Sequence, residues 1–204
     1  MAGGLFDLAS PDTQLPSELV LDSGVIIHWL TAVGWRVAPI PPSPLQLGAV
    51  RLVGQIVRSK GSGLVTPTSL NEVFHFVLKT GFHAALPDYQ QDLVARYPKV
   101  RRHEWYHLFK ARSDFVTLIE ADLNRIRRLM LGNRLLVLQP DDLGPIPSSR
   151  ALDDELARTM ARYQFASSDA AILIEARRAG VSAIASSDAD FRRAQFDFDV
   201  DTWL

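Results

Sequence analysis

The sequence predicts an α/β fold built on a central, mostly parallel sheet, and three observations lead there. Short apolar runs of strand length alternate with longer stretches of helical period, as happens when helices connect parallel strands. Of 204 residues, 47% are hydrophobic and 22% charged, the composition of a folded chain with a full core. The length suits one domain, or one domain carrying an insertion.

Residues 1–16 read as a loose, flexible arm containing Gly3, Gly4, Pro11 and Pro16, and residues 17–204 as the folded domain. Glu18 to Leu21 (ELVL) is a buried strand ending at Asp22, and Val25 to Leu30 is helical. Pro39, Pro41, Pro42 and Pro44 break the chain into a loop. Leu45 to Ser59 has helical period with Arg51 and Arg58 outward, and Gly61 and Gly63 stop it. Leu64 and Val65 form a second strand. Thr66-Pro67 opens a helix to about Thr80, since proline suits the first helical position. Beyond Gly81 a polar, aromatic and basic stretch forms an insertion at about 82–112. Phe115 to Met130 is a helix, its stripe made by Phe115, Leu118, Ile119, Leu123, Ile126 and Met130. Leu135 to Leu138 is the third strand. Ala151 to Tyr163 and Asp169 to Ala179 are helices, the second closed by Gly180. Val181 to Ala185 is the fourth strand, and Val200 to Leu204 a short last one.

Composition excludes several functions. There is no cysteine, hence no disulfide scaffold, thiolate zinc site or thiol nucleophile. No apolar run approaches the length needed to span a bilayer, and MAGGLFDLASPDTQLPSE has neither a cationic start nor an apolar core of a signal peptide. A cytoplasmic protein without a membrane is expected. The net charge of −1 hides an asymmetry. From Gln91 to Leu135 ten basic residues face five acids, whereas the chain from Asp141 onward is rich in aspartate. That pattern suggests one surface for a polyanion and another that gathers carboxylates.

The carboxylates are the sharper signal. Asp22 follows the first strand, Asp188 follows the fourth and Asp169 opens a helix, so all three fall at one edge of a parallel sheet, where α/β sites lie. Asp169 shares its helix side with Leu173 and Ala176, placing a charge on a core-facing stripe. Its ordinary alternative is a first-turn acid complementing the helix dipole, with Ser167 or Ser168 as cap. Glu72 lies opposite the stripe of Leu70, Val73, Phe74 and Val77. A capping box from Ser69 would occupy it, but Pro67 makes Thr66 the better cap. Asp22 and the Asp188/Asp190 pair also suit turns. Several carboxylates at one edge raise one another's pKa unless a cation lies among them, and a cysteine-free oxygen set suits Mg²⁺ or Mn²⁺.

LVLDSGVII around Asp22, TPTSLNEVF around Glu72, SSDAAILIEARRAG around Asp169 and IASSDADF around Asp188 stand in that order. Together they resemble the four motifs of the PIN-domain nucleases, most closely the VapC-like toxins of bacterial toxin–antitoxin pairs, over roughly residues 18–204. The resemblance implies a three-layer PIN-like fold and a ribonuclease that uses Mg²⁺ or Mn²⁺. It implies Asp22, Glu72, Asp169 and Asp188 as the catalytic and metal-holding quartet, with Ser23, Ser186 and Asp190 in support. It also implies a homodimer restrained by a small antitoxin. Two features depart from the pattern: Gly24 replaces a second small hydroxyl residue, and residues 31–44 and 82–112 lengthen the chain. A housekeeping RNA-processing nuclease and a non-catalytic RNA- or protein-binding module are the alternatives.

His103-Glu104-Trp105-Tyr106-His107 matches the H-E-x-x-H pattern of zinc hydrolases, with Glu120 as the nearest third ligand. Arg101 and Arg102 directly before it oppose a dication, so a surface histidine pair is the simpler account. The same stretch holds Arg96, Lys99, Arg101, Arg102, Lys110 and Arg112 interleaved with Tyr97, Trp105, Tyr106 and Phe109. Cations that track phosphates beside rings that stack on bases suit single-stranded RNA, and these six are the expected RNA-binding residues.

Overall fold

The computed structural model of the protein describes residues 5–7, 14–35, 41–96, 115–146 and 151–202. Six strands form one sheet: β1 (Leu5–Asp7), β2 (Glu18–Leu21), β3 (Ser62–Val65), β4 (Leu135–Val137), β5 (Ala183–Ala185) and β6 (Asp199–Thr202). Their order is β1-β6-β5-β2-β3-β4, and every neighbouring pair is parallel. Among the described residues six α-helices accompany them: α1 (Ser23–Ala32), α2 (Pro44–Ser59), α3 (Pro67–Arg96), α4 (Phe115–Gly132), α5 (Leu152–Tyr163) and α6 (Ser167–Arg178).

Strand alternation divides the core into two layers. Leu19, Leu21, Val65, Ala183 and Ala185 point to one face and pack with α1 to α4 through Val25, Leu30, Leu52, Ile56, Val77 and Ile126. Val20, Leu64, Ile184 and Val200 point to the other and pack with α5 and α6 through Tyr163, Ile172, Leu173 and Ala176. The result is helix, sheet, helix, the layering that lets a parallel sheet bury both faces.

The differences from expectation have local causes. Part of the loose arm is a strand: Leu5–Asp7 pairs with Val200–Thr202, supplying backbone partners to what would otherwise be an open edge. Gly63 does not stop α2 but sits inside β3. Lys60, in the left-handed region at φ 59°, ends that helix instead. A helix does not end near Thr80: α3 runs through Gly81 to Arg96, because Phe82 is buried in the core and its packing outweighs the propensity cost of one glycine, about 1 kcal/mol. The first half of the insertion at 82–112 therefore continues a helix. In α6 the cap is Ala166 rather than Ser167 or Ser168, so the cap residue supplies no side-chain bond to the first turn. A 3₁₀ helix, Ala189–Ala194, follows β5 unforeseen. Among the described residues no helix is long and apolar enough to cross a membrane.

Candidate active site

The chain leaves β2 toward β3 and β4 on one side, then returns through α5 and α6 to β5 on the other. The carboxyl ends of β2 and β5 thus flank the point where strand order reverses, and there connecting loops diverge and open a crevice. A cleft of about 520 Å³ lies at that place, lined among others by Asp22, Ser23, Glu72, Asp169 and Asp188.

Asp22 follows the last residue of β2, and its N–H still donates to Ala185 O in the neighbouring strand at 3.0 Å. This fixes its backbone to the sheet. The side chain is 5% exposed, and Ser186 Oγ donates to Oδ2 at 2.9 Å. Ser186 in turn accepts from Asp188 N at 2.9 Å, so one buried hydroxyl connects the two strand ends. Thr66 caps α3, accepting from Ser69 N at 3.2 Å, while Ser69 Oγ donates to Leu21 O. Glu72 is therefore free of capping. Ser23 Oγ donates to Glu72 Oε2 at 2.6 Å and lies 3.4 Å from Asp22 Oδ1, which ties the α3 carboxylate to the end of β2.

Asp169 is half-buried in the first turn of α6. Burial pushes its pKa up to about 6, the charges of Asp188, Glu72 and Asp190 add to this, and a bond from the Ala166 backbone opposes it. Asp22 is pushed up to about 6 as well, mainly by burial and then by Asp169 and Glu72, against the Ser186 hydrogen bond. Asp188 is exposed at the lip and accepts from Asp190 N at 2.8 Å. Asp190 pairs with Arg193 at 2.8 Å, which turns it to a surface partner.

All four quartet carboxylates line one cleft. Their donor atoms are oxygen throughout, which matches a hard divalent cation such as Mg²⁺ or Mn²⁺. Yet among the described residues no three His, Asp or Glu side chains group closely enough to hold an ion. The chemistry of the donors fits, while the geometry is a lined cleft and not a closed cage.

Two polar lining residues escaped the sequence reading, His28 and Ser187. His28 stands one turn beyond Gly24 on α1, a spacing that becomes a signal once Asp22 is recognised as the start of that helix. Burial lowers its pKa, leaving a neutral imidazole near pH 7. Gly24 also has a reason: a Cβ there would come within 2.9 Å of Ser187 Oγ and 3.2 Å of Asp22 Oδ2. A hydroxyl residue would crowd the cleft.

Of the expected RNA-binding residues, Arg96 ends α3, and Lys99, Arg101, Arg102, Lys110 and Arg112 lie outside the described residues. So do His103, Glu104 and His107, while Glu120 is exposed on α4. Fold and site define a class, a parallel α/β protein with an acidic cleft at its topological switch point. Comparison with protein-family models, with curated proteins and with solved structures gives no match that would narrow the class to a family.

Proposed function

We propose that the chain is a metal-dependent nuclease of PIN-like fold that hydrolyses RNA phosphodiester bonds. The observation that carries the reading is the convergence of Asp22, Glu72, Asp169 and Asp188, from four separate elements, on one cleft. A protein without use for those charges gains nothing by burying Asp22 beside them, since each raises the cost of ionising the others. RNA as the substrate, and a toxin role with a small antitoxin and a homodimer, rest on the motif resemblance.

In this reading Asp22, Asp169 and Asp188 hold Mg²⁺ or Mn²⁺, with Glu72 as a further ligand or as the group that orients the attacking water. Bound there, the cation would acidify water and offset charge on the phosphoryl oxygens. The protein's own groups prepare the site. Ser186 fixes the Asp22 carboxylate, Ser23 aims Glu72 inward, and neutral His28 adds a polar wall without competing charge.

Cleavage of a labelled single-stranded RNA, with and without EDTA, tests this. Activity lost in EDTA and restored by Mg²⁺ or Mn²⁺, but lost in Asp169→Asn, is the expected result. Full activity in EDTA, or in both Asp22→Asn and Asp169→Asn, would overturn the proposal. Zinc-dependent peptide hydrolysis abolished by His103→Ala with His107→Ala would establish the metallohydrolase alternative. A small DNA-binding protein encoded in the adjacent reading frame would support the toxin assignment over a housekeeping nuclease.

A further inference from the structure

A second cavity, of about 430 Å³, is lined by Arg162, Tyr163 and Gln164 at the end of α5 and by Arg192, Arg193 and Phe196 around the end of the 3₁₀ helix. It shares no lining residue with the acidic cleft. The two are joined by one short element: the 3₁₀ helix starts beside Asp188 at the lip of the cleft and ends among the arginines. Six residues at a rise of about 2.0 Å make that element about 12 Å long.

Three features give this cavity a chemistry. Two of its three arginines are accessible, with the Arg162 side chain 62% exposed and that of Arg193 44% exposed, while Arg192 Nε is buried. Phe196 stands 74% exposed beside them, a ring that contributes little to the core. The C-terminal end of α5, whose carbonyls would repel an anion, is partly neutralised where Arg193 Nη1 donates to Gln164 O at 2.9 Å. The acids nearby are engaged from the surface side: Arg162 meets Asp197 at 2.7 Å and Arg193 meets Asp190 at 2.8 Å. The Arg193–Asp190 pair is exposed on both sides, and such a pair is weak and exchanges readily for a phosphate, which binds guanidinium in the same two-pronged way, whereas Asp197 is less exposed and also accepts from Tyr163 Oη.

We infer that this cavity is a subsite for single-stranded RNA, in which a base stacks on Phe196 and a neighbouring phosphate meets Arg162 and Arg193. The inference rests on RNA being the substrate of the acidic cleft, and it gives the strand a direction, along the 3₁₀ helix from Asp188 to Phe196. An acidic protein partner would use the arginines but would have no need of the bare phenyl ring, whereas a nucleobase uses both.

The test uses the full chain carrying Asp169→Asn to suppress cutting, and a fluorescent RNA of about ten nucleotides followed by anisotropy across a salt series. Phe196→Ala should weaken binding about tenfold, and Phe196→Trp should retain it. Arg162→Gln with Arg193→Gln should flatten the log–log salt slope by about one to two units. Circular dichroism melting confirms that each variant is folded. Affinity and slope unchanged in all three would overturn the subsite. So would equal competition by poly-glutamate of matched charge with no effect of Phe196→Ala, which would mark a contact for an acidic protein. Cleavage by the chain with Asp169 intact is read alongside. Cutting that persists without any role for Phe196 removes the subsite alone, whereas Phe196-dependent binding without cutting removes the nuclease reading alone. Neither binding nor cutting removes both.

Discussion

At Asp22 and Asp169 the same charge serves the proposed chemistry and strains the fold. Both carboxyls sit at a pKa of about 6 against an ordinary 3.8. A carboxyl whose pKa is raised on folding stabilises the native state only while protonated. That contribution is complete below about pH 4 and is lost as pH rises through about 6. Asp22→Asn and Asp169→Asn should therefore each raise the melting temperature by a few degrees at pH 8 in EDTA, while RNA cleavage falls by about a hundredfold or more. Scanning calorimetry and single-turnover cleavage read the two effects, and a lowered melting temperature would contradict the electrostatic account. Under the proposed function, the same groups make cation binding pH-dependent. Mn²⁺ affinity measured by calorimetry should drop steeply from pH 7 to pH 5, because protons compete for both carboxylates.

A third aspartate behaves alike outside the cleft. Asp201, on β6, is 2% exposed, its Oδ2 lacks a hydrogen-bond partner among the described residues, and burial followed by the Asp199 charge pushes its pKa to about 7. Asp201→Asn should stabilise the protein most above pH 7. The gain should shrink as pH falls and vanish below about pH 4, where both forms are neutral in both states. Thermal melts from pH 4 to pH 8 give that curve. Cleavage should be unchanged, since Asp201 is not among the residues lining the cleft.

At the level of elements, the helices and strands whose apolar period is strong were legible in sequence, and misreadings cluster where packing overrides local preference. ELVL announces itself as an apolar run and leads straight into Asp22, and the helix from Thr66-Pro67 announces itself by its cap and carries Glu72. Gly63 and Gly81 misled for one reason: a glycine inside an element is indistinguishable from a stop until its neighbours are known. At Gly63 the neighbours are decisive, since a Cβ would come within 2.7 Å of Leu135 Cδ2 and 2.9 Å of Leu21 Cδ1. Gly63→Ala should cost about 1–3 kcal/mol, visible as a lower urea midpoint; a neutral result would mean that β3 and α2 are looser than they look. The tie between α3 and α6 was equally invisible. Glu175, on α6, accepts from Thr68 N at 3.1 Å and from Thr68 Oγ1 at 2.8 Å. It locks the helix that carries Glu72 to the helix that carries Asp169. That contact spans 107 positions, and no local pattern encodes it.

For the molecule as a whole, the acidic cleft was readable because a parallel sheet sends its strand ends and helix starts to one edge, so Asp22 and Asp188 after strands and Asp169 at a helix start could be placed together without knowing the strand order. How closely they approach was not readable, because that depends on hydroxyl partners, Ser23 and Ser186, contributed by other elements. If the carboxylates hold a cation, they hold together parts of the fold distant in sequence. Saturating Mn²⁺ at about a hundred times its dissociation constant should add about 2.7 kcal/mol, or roughly 5–10 °C in melting temperature. The shift should be absent in Asp22→Asn.

The bond between Ser186 and Asp22 joins positions 164 residues apart. During synthesis, which proceeds at about 5–20 residues per second, Asp22 and Glu72 emerge many seconds before the strand and turn that bring Ser186 and Asp188. A nascent chain stalled near residue 165 holds half of the carboxylates and neither β5 nor α6. Under the proposed function, it should neither bind Mn²⁺ at the cleft nor cut RNA. The wiring of the sheet thus acts as a clock, withholding the cleft until β5 and the turn after it have been made.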